Sequence, residues 1–159
     1  KGKQKPSLTR LNKAERNVVA PWIHHCDAFT LFSWKGQAWA LPASVAADLE
    51  SLTGKLRIVS AGLKVGKIIR EELIPSHELA MSVHAAASIP RVELPAAAAV
   101  AYLRKESPEI PVKEKGWLLA TYRNHPLGWL KGVGGRFNNY YPTNWRIRGR
   151  GDPVNSPEE

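Results

Sequence analysis

Apolar residues come in short runs, each closed within a few residues by glycine, proline or a polar turn, and no run approaches the roughly 20 residues a membrane-spanning helix needs. The turn signals between these runs divide the chain into short strands and helices, a mixed α and β pattern. With 159 residues the chain can bury about two-thirds of its unfolded surface, enough for one ordinary domain or two small ones. Cys26 is the only cysteine, so the core has no internal disulfide and no thiolate zinc cage, in keeping with a reducing cytoplasm. No apolar h-region follows the basic N-terminus, so no secretory signal is visible, and the missing initiator Met points to a fragment.

Local signals divide the chain. Residues 1–11 carry Lys1, Lys3, Lys5 and Arg10 with few apolar groups and read as a disordered basic arm. Asn12 and Glu15 have capping-box spacing and open a helix bearing Val18, Val19 and Trp22, limited by Pro21. Residues 28–33 and 37–41 flank a turn at Lys35-Gly36, a hairpin pattern, and Val45, Leu49 and Leu52 mark a helix stopped by Gly54. Leu56–Ser60 and Leu63–Ile69 read as strands joined at Ala61-Gly62, with a helix from Pro75-Ser76 carrying Leu79 and Val83. Pro95 then opens a helix through Val100 and Leu103 that ends before Ser107-Pro108. Residues 117–122 and 127–130 bracket a turn at Asn124-His125-Pro126, and Trp145–Arg148 reads as a last short strand. Domain limits follow: an arm over 1–11, a small mixed α/β segment over 12–88, a second domain over 89–149 and a disordered tail over 150–159.

Recognised chemical constellations are mostly missing. His24-His25-Cys26-Asp27 contains potential metal ligands, but adjacent side chains point apart, so a polar turn is expected and no metal. Gly62-Leu63-Lys64-Val65-Gly66-Lys67-Ile68 is one residue short of a phosphate loop and has Ile68 where a hydroxyl belongs; two glycines easing a strand pair explain it better. His77 and His84 lie two helical turns apart without a carboxylate between them at metalloprotease spacing. No nucleophile elbow appears, and no Gly-rich strand-to-helix loop that would hold S-adenosylmethionine or a dinucleotide. The chain is therefore expected to have no catalytic residue and no cofactor of its own, and a self-contained hydrolase or nuclease is disfavoured.

Charge is more informative. The net charge is +9, and from Lys115 to Gly151 seven Lys and Arg residues stand without one Asp or Glu. A one-sign segment of this kind attracts polyanions. Trp129, Phe137, Tyr140, Tyr141 and Trp145 interleave with those cations. Arg and Lys can neutralise phosphates, rings can stack unpaired bases, and Asn side chains can reach base edges or a ribose hydroxyl. Lys131, Arg136, Arg146 and Arg148 are the expected phosphate contacts, with Asn138, Asn139 and Tyr140 near the base or sugar. Trp117, Trp129 and Ile147 sit at alternating strand positions and are expected in the core.

The segment Asn124-His125-Pro126-Leu127-Gly128-Trp129-Leu130-Lys131, then Gly134-Gly135-Arg136-Phe137-Asn138-Asn139-Tyr140-Tyr141-Pro142 and Trp145-Arg146-Ile147-Arg148, resembles the PUA-like RNA-binding domain that ends many Sun/Fmu-type RNA methyltransferases, in particular the RsmF-like enzymes that make 5-methylcytosine in ribosomal RNA. The resemblance spans about residues 13–148, with the first half similar to the small α/β segment before that domain. It implies an α+β chain: the mixed segment, then a PUA-like β-barrel with flanking helices. It also implies ribosomal RNA as partner, the enzyme's own catalytic domain as a second, a cytoplasmic setting, and S-adenosylmethionine bound in the full-length enzyme but not by these residues. Cys26, between His25 and Asp27, matches neither catalytic cysteine motif of that family, and Tyr140 stands at a variable place. A competing expectation is a protein-interaction module whose aromatics anchor a ribosomal protein or the catalytic domain.

Overall fold

The structure is a computed structural model that describes residues 8–107, 109–110 and 114–149. Residues 1–7 of the expected arm, and the tail from Arg150, lie outside the described residues. The chain divides into two compact units, Lys1–Ala87 and Ser88–Glu159.

The first unit is built on a five-stranded antiparallel sheet in sequential order: β1 (Thr9–Arg10), β2 (Phe29–Trp34), β3 (Gln37–Pro42), β4 (Leu63–Ile69) and β5 (Glu72–Pro75). Thr9 and Arg10 pair with Ser33 and Phe32, and the Leu11 amide donates to the Leu31 carbonyl, so residues 9–11 belong to the sheet and not to a disordered arm. The capping box forms as expected: Asn12 accepts from the Glu15 amide at 3.0 Å, Glu15 accepts from the Asn12 amide at 2.9 Å, and α1 (Lys13–Val19) delivers a fully buried Val19. Helix α2 (Ala43–Leu52) follows β3, and α3 (His77–Ala80) is capped by Ser76, whose hydroxyl accepts from the Leu79 amide.

Three further expectations for this unit fail. Leu56–Ser60 is not a strand: Leu56 makes one isolated bridge to Thr53, and Leu56 and Val59 are exposed. Strand β5 appears where none was expected, because the β4–β5 turn is Arg70-Glu71, two non-glycine residues at φ 48° and 64°, which carry no turn signature in sequence. The helix at Pro75-Ser76 stops at Ala80, before Val83 and His84, so Val83 is exposed and His77 and His84 share no helical face. The glycine reading holds: a side chain on Gly66 would strike the Ile74 carbonyl oxygen of β5, and one on Gly62 the Ala40 carbonyl oxygen of β3.

The second unit has a four-stranded sheet in the order β6-β7-β8-β9, from β6 (Arg91–Glu93), β7 (Gly116–Tyr122), β8 (His125–Val133) and β9 (Arg136–Asn139). β6 runs parallel to β7 through α4 (Ala96–Leu103), and the other pairs are antiparallel hairpins. Among the described residues the sheet is open, with β6 and β9 as its outer strands, so the closed barrel implied by the resemblance is not what forms. Trp145–Arg148 is not a strand either: Thr143–Trp145 is a single 3-10 turn after Pro142. The Ala98 and Ala99 side chains are small enough to bring α4 close to the sheet, where Val92, Leu94, Tyr102, Leu118, Ala120, Leu130 and Phe137 complete a core. Tyr102 is wholly buried and satisfies its hydroxyl on the Trp129 carbonyl at 3.1 Å; burial pushes its ionisation far above the usual tyrosine range.

Candidate nucleic-acid interface

Hairpin geometry sets the interface. Gly134-Gly135 form a two-residue turn at φ 58° and 87°, which pairs Val133 with Arg136 and fixes the rows behind it: Gly132 with Phe137, Lys131 with Asn138, Leu130 with Asn139. Side chains alternate along each strand, so Phe137 and Leu130 face α4 while Lys131, Arg136 and Asn138 emerge on the opposite face. On β7, Trp117 pairs with Lys131 and joins the same face.

The result is a layered patch. Trp117 is its floor, 9% exposed, with the Lys131 ammonium 5.0 Å from its ring centroid and the Tyr140 ring 4.5 Å away, edge-on. The Tyr140 amide donates to the Trp129 carbonyl at 3.0 Å and extends the β9 register by one residue, so Tyr140 stands two positions beyond Asn138 on that face, 38% exposed. Arg136 and Asn138 are exposed beside it. Lys131, Arg136, Asn138 and Tyr140 are thus brought together, with Trp117 beneath them.

Asn139 is placed otherwise. Its amide nitrogen donates to the Tyr102 and Glu106 carbonyls at 2.8 Å each, and its oxygen accepts from the Tyr141 amide at 2.8 Å. Those carbonyls belong to the last turn of α4 and the residues after it; the Tyr102 carbonyl also accepts from the Lys105 amide at 3.0 Å. Lys105, in a left-handed conformation at φ 68°, donates its ammonium to the Asn139 and Tyr141 carbonyls at 2.5 and 2.7 Å, and burial lowers its proton affinity. Asn139 and Lys105 therefore lock the helix end to β9, and Asn139 holds the interface without facing outward.

Arg146 and Arg148 lie on the other side of the β9 edge. Tyr141 packs against the α4-side core and on Tyr102, and the Ile147 amide donates to the Leu103 carbonyl at 3.0 Å. Both residues are exposed. Arg136, Arg146 and Arg148 make no ion pair among the described residues; the pairs Arg10–Glu50, Arg16–Asp27 and Lys64–Glu78 lie in the first unit. Of the three expected core residues, Trp117 and Trp129 are buried, but Ile147 is 45% exposed because its segment caps the helix end and carries no strand alternation. Trp145 is 62% exposed, which leaves roughly 100–150 Å² of the residue unburied and forgoes about 3 kcal/mol of burial.

The remaining candidates gain nothing. Among the described residues no three His, Cys, Asp or Glu side chains converge as a metal site. Cys26 begins a 3-10 turn, its thiol pushed up by burial, with Arg16 opposing and Asp27 adding to that rise. Among the described residues no helix is long and apolar enough to cross a membrane.

The arrangement can be set beside known proteins. The family model described as the methyltransferase RsmF PUA domain matches residues 89–147, nearly all of the described second unit. The chain carries an RsmF-like PUA region. A ribosomal RNA small subunit methyltransferase F of Erwinia tasmaniensis is 27% identical over 147 residues, covering 87% of this chain and 29% of that protein. Its counterpart from Shewanella loihica is 30% identical over 106 residues, covering 65% of this chain and 21% of that protein. The chain thus spans less than a third of the length of either relative, and the Erwinia match extends well beyond the PUA region into the first unit. Within the PUA region lie all the expected contact residues but Arg148, together with two features that pattern reading did not assign to the site. Trp117 joins it through register, which the Gly134-Gly135 turn makes countable from sequence; Lys105 joins it through a tertiary contact that leaves no local signal.

Proposed function

We propose that the chain is an RNA-binding module of a ribosomal RNA cytosine-5 methyltransferase, holding RNA for a catalytic domain that these 159 residues do not include. The observation that carries this reading is the PUA-region face on which Lys131, Arg136, Asn138 and Tyr140 gather over Trp117, in a segment from 115 to 149 that has no opposing carboxylate after Glu114. Cations there neutralise phosphates, the exposed ring and the Asn138 amide offer stacking and polar contacts, and the α4 lock keeps the strand bearing them in register. The role is positioning: RNA held on a linked module sees a raised effective concentration at the catalytic site. S-adenosylmethionine belongs to that other domain, and a ribosomal substrate sets the work in the cytoplasm.

A salt titration of RNA binding tests it. Arg136→Ala and Arg146→Ala should each weaken binding and each reduce the slope of log affinity against log salt by about 0.7, the value for one phosphate on a single strand. Affinity and slope that stay at the parental values in both variants would refute the assignment.

A further inference from the structure

We infer that the RNA this module takes is single-stranded, laid across the outer strand β9 with an unpaired base stacked on Trp145; the inference rests on the RNA-binding reading above. Two cationic groups flank that edge. Arg136, Asn138 and Tyr140 lie on the sheet face away from α4, whereas Arg146 and Arg148 follow a segment tied to the end of α4 by the Ile147–Leu103 hydrogen bond. β9 is the outer strand between them. A flexible strand can bend over such an edge and meet phosphate-binding groups on both sides, while a stiff A-form duplex presents a broad, nearly straight surface and meets one side at a time.

Trp145 supplies the second observation. Its backbone is fixed: its amide donates to the Pro142 carbonyl at 3.0 Å, and the next two amides donate to Thr143 and Leu103. Yet the residue is 62% exposed, the most exposed of the described Trp, Tyr and Phe residues, and it precedes Arg146 in sequence. A largely exposed Trp on a pinned backbone, followed in sequence by an Arg, can bind an unpaired base by stacking, and a paired base inside a duplex cannot offer its face to it. Tyr140, on the other side of the edge, offers a second ring, so at least two nucleotides of one strand are accommodated.

The test compares a 12-nucleotide uridine-rich single strand with a duplex of the same length, titrated against the whole 159-residue chain and its variants. The parental chain should prefer the single strand. Trp145→Ala should weaken single-strand binding about tenfold with an unchanged salt slope, Trp145→Phe should recover most of the loss, and duplex binding should not move. Because the ring is exposed, the unfolding midpoint of Trp145→Ala should match the parent, which separates lost stacking from lost folding. Equal or tighter binding of duplex, or single-strand affinity unaltered by Trp145→Ala, overturns the inference while leaving RNA binding intact. Failure to bind either RNA at low salt overturns the RNA-binding reading itself.

Discussion

Replacing Asn139 by Ala removes two donated hydrogen bonds and one accepted one, all at 2.8 Å, and leaves the Tyr102 and Glu106 carbonyls without their side-chain partner. Each such bond contributes about 0.5–1.5 kcal/mol net. Glu106 is exposed and its carbonyl can turn to water, so the sum is discounted to about 2 kcal/mol. With a urea dependence of about 1–3 kcal/mol per molar for a small protein, the midpoint for the transition that reports on the PUA region should fall by about 1 M. Tryptophan fluorescence and far-UV circular dichroism against urea measure it. Asn139→Asp is the sharper variant, because it turns a donor facing two carbonyl oxygens into an anion; it should be less stable than Asn139→Ala at pH 7. That aspartate's proton affinity would be raised in the folded state, so its added penalty grows as pH rises through about 4 and shrinks below. A stability change under about 0.5 kcal/mol for Asn139→Ala, combined with weakened RNA binding, would refute the lock and return Asn139 to the RNA-reading role that its place in the sequence pattern suggests.

Tyr102→Phe should cost about 1 kcal/mol in urea unfolding, since the hydroxyl's hydrogen bond is lost while the Trp129 carbonyl keeps the Tyr140 amide; a loss above about 3 kcal/mol would mean the ring itself had shifted. Gly66→Ala should destabilise the first unit by more than an ordinary strand glycine substitution, because the new methyl strikes the Ile74 carbonyl; a stabilised variant would contradict the β4–β5 approach. Burial, opposed by Glu78, depresses the proton affinity of His77, so the folded state binds its proton less readily than the unfolded chain. Stability from this group is complete above about pH 6.5 and is lost as pH falls below it, so His77→Gln should flatten the stability profile between pH 7 and 5, and an equally steep profile would exclude His77 as its source.

The sequence made turns and caps legible where residue chemistry dictates backbone. Asn12 with Glu15, Lys35-Gly36 and Gly134-Gly135 announce their geometry, and from the last of these the pairing of Lys131 with Asn138 can be counted. Arg70-Glu71 and Arg123-Asn124 adopt the same left-handed pairs with less distinctive residues, so β5 went unseen and the β7–β8 turn was expected one residue late. The cationic, acid-free stretch marked the right region, but spacing alone could not tell which side of the β9 edge each cation occupies. Asn139 shows the limit most clearly: an Asn between exposed polar residues and a Tyr-Pro pair looks like a ligand contact, and only the return of the chain to α4 commits its amide to the fold. Trp145–Arg148 alternates like a strand, yet by then the sheet edge has been passed and the segment serves to cap a helix.

On the proposed reading, RNA meets residues 117–148 around β9. Ultraviolet cross-linking of the chain to a small-subunit ribosomal RNA fragment, followed by mass spectrometry of the linked peptides, tests it directly. Adducts should concentrate on the peptides that contain Tyr140 and Trp145 and fall when Arg136 and Arg146 are replaced. Adducts confined to residues 9–87, with the β9 peptides unmodified, would contradict it.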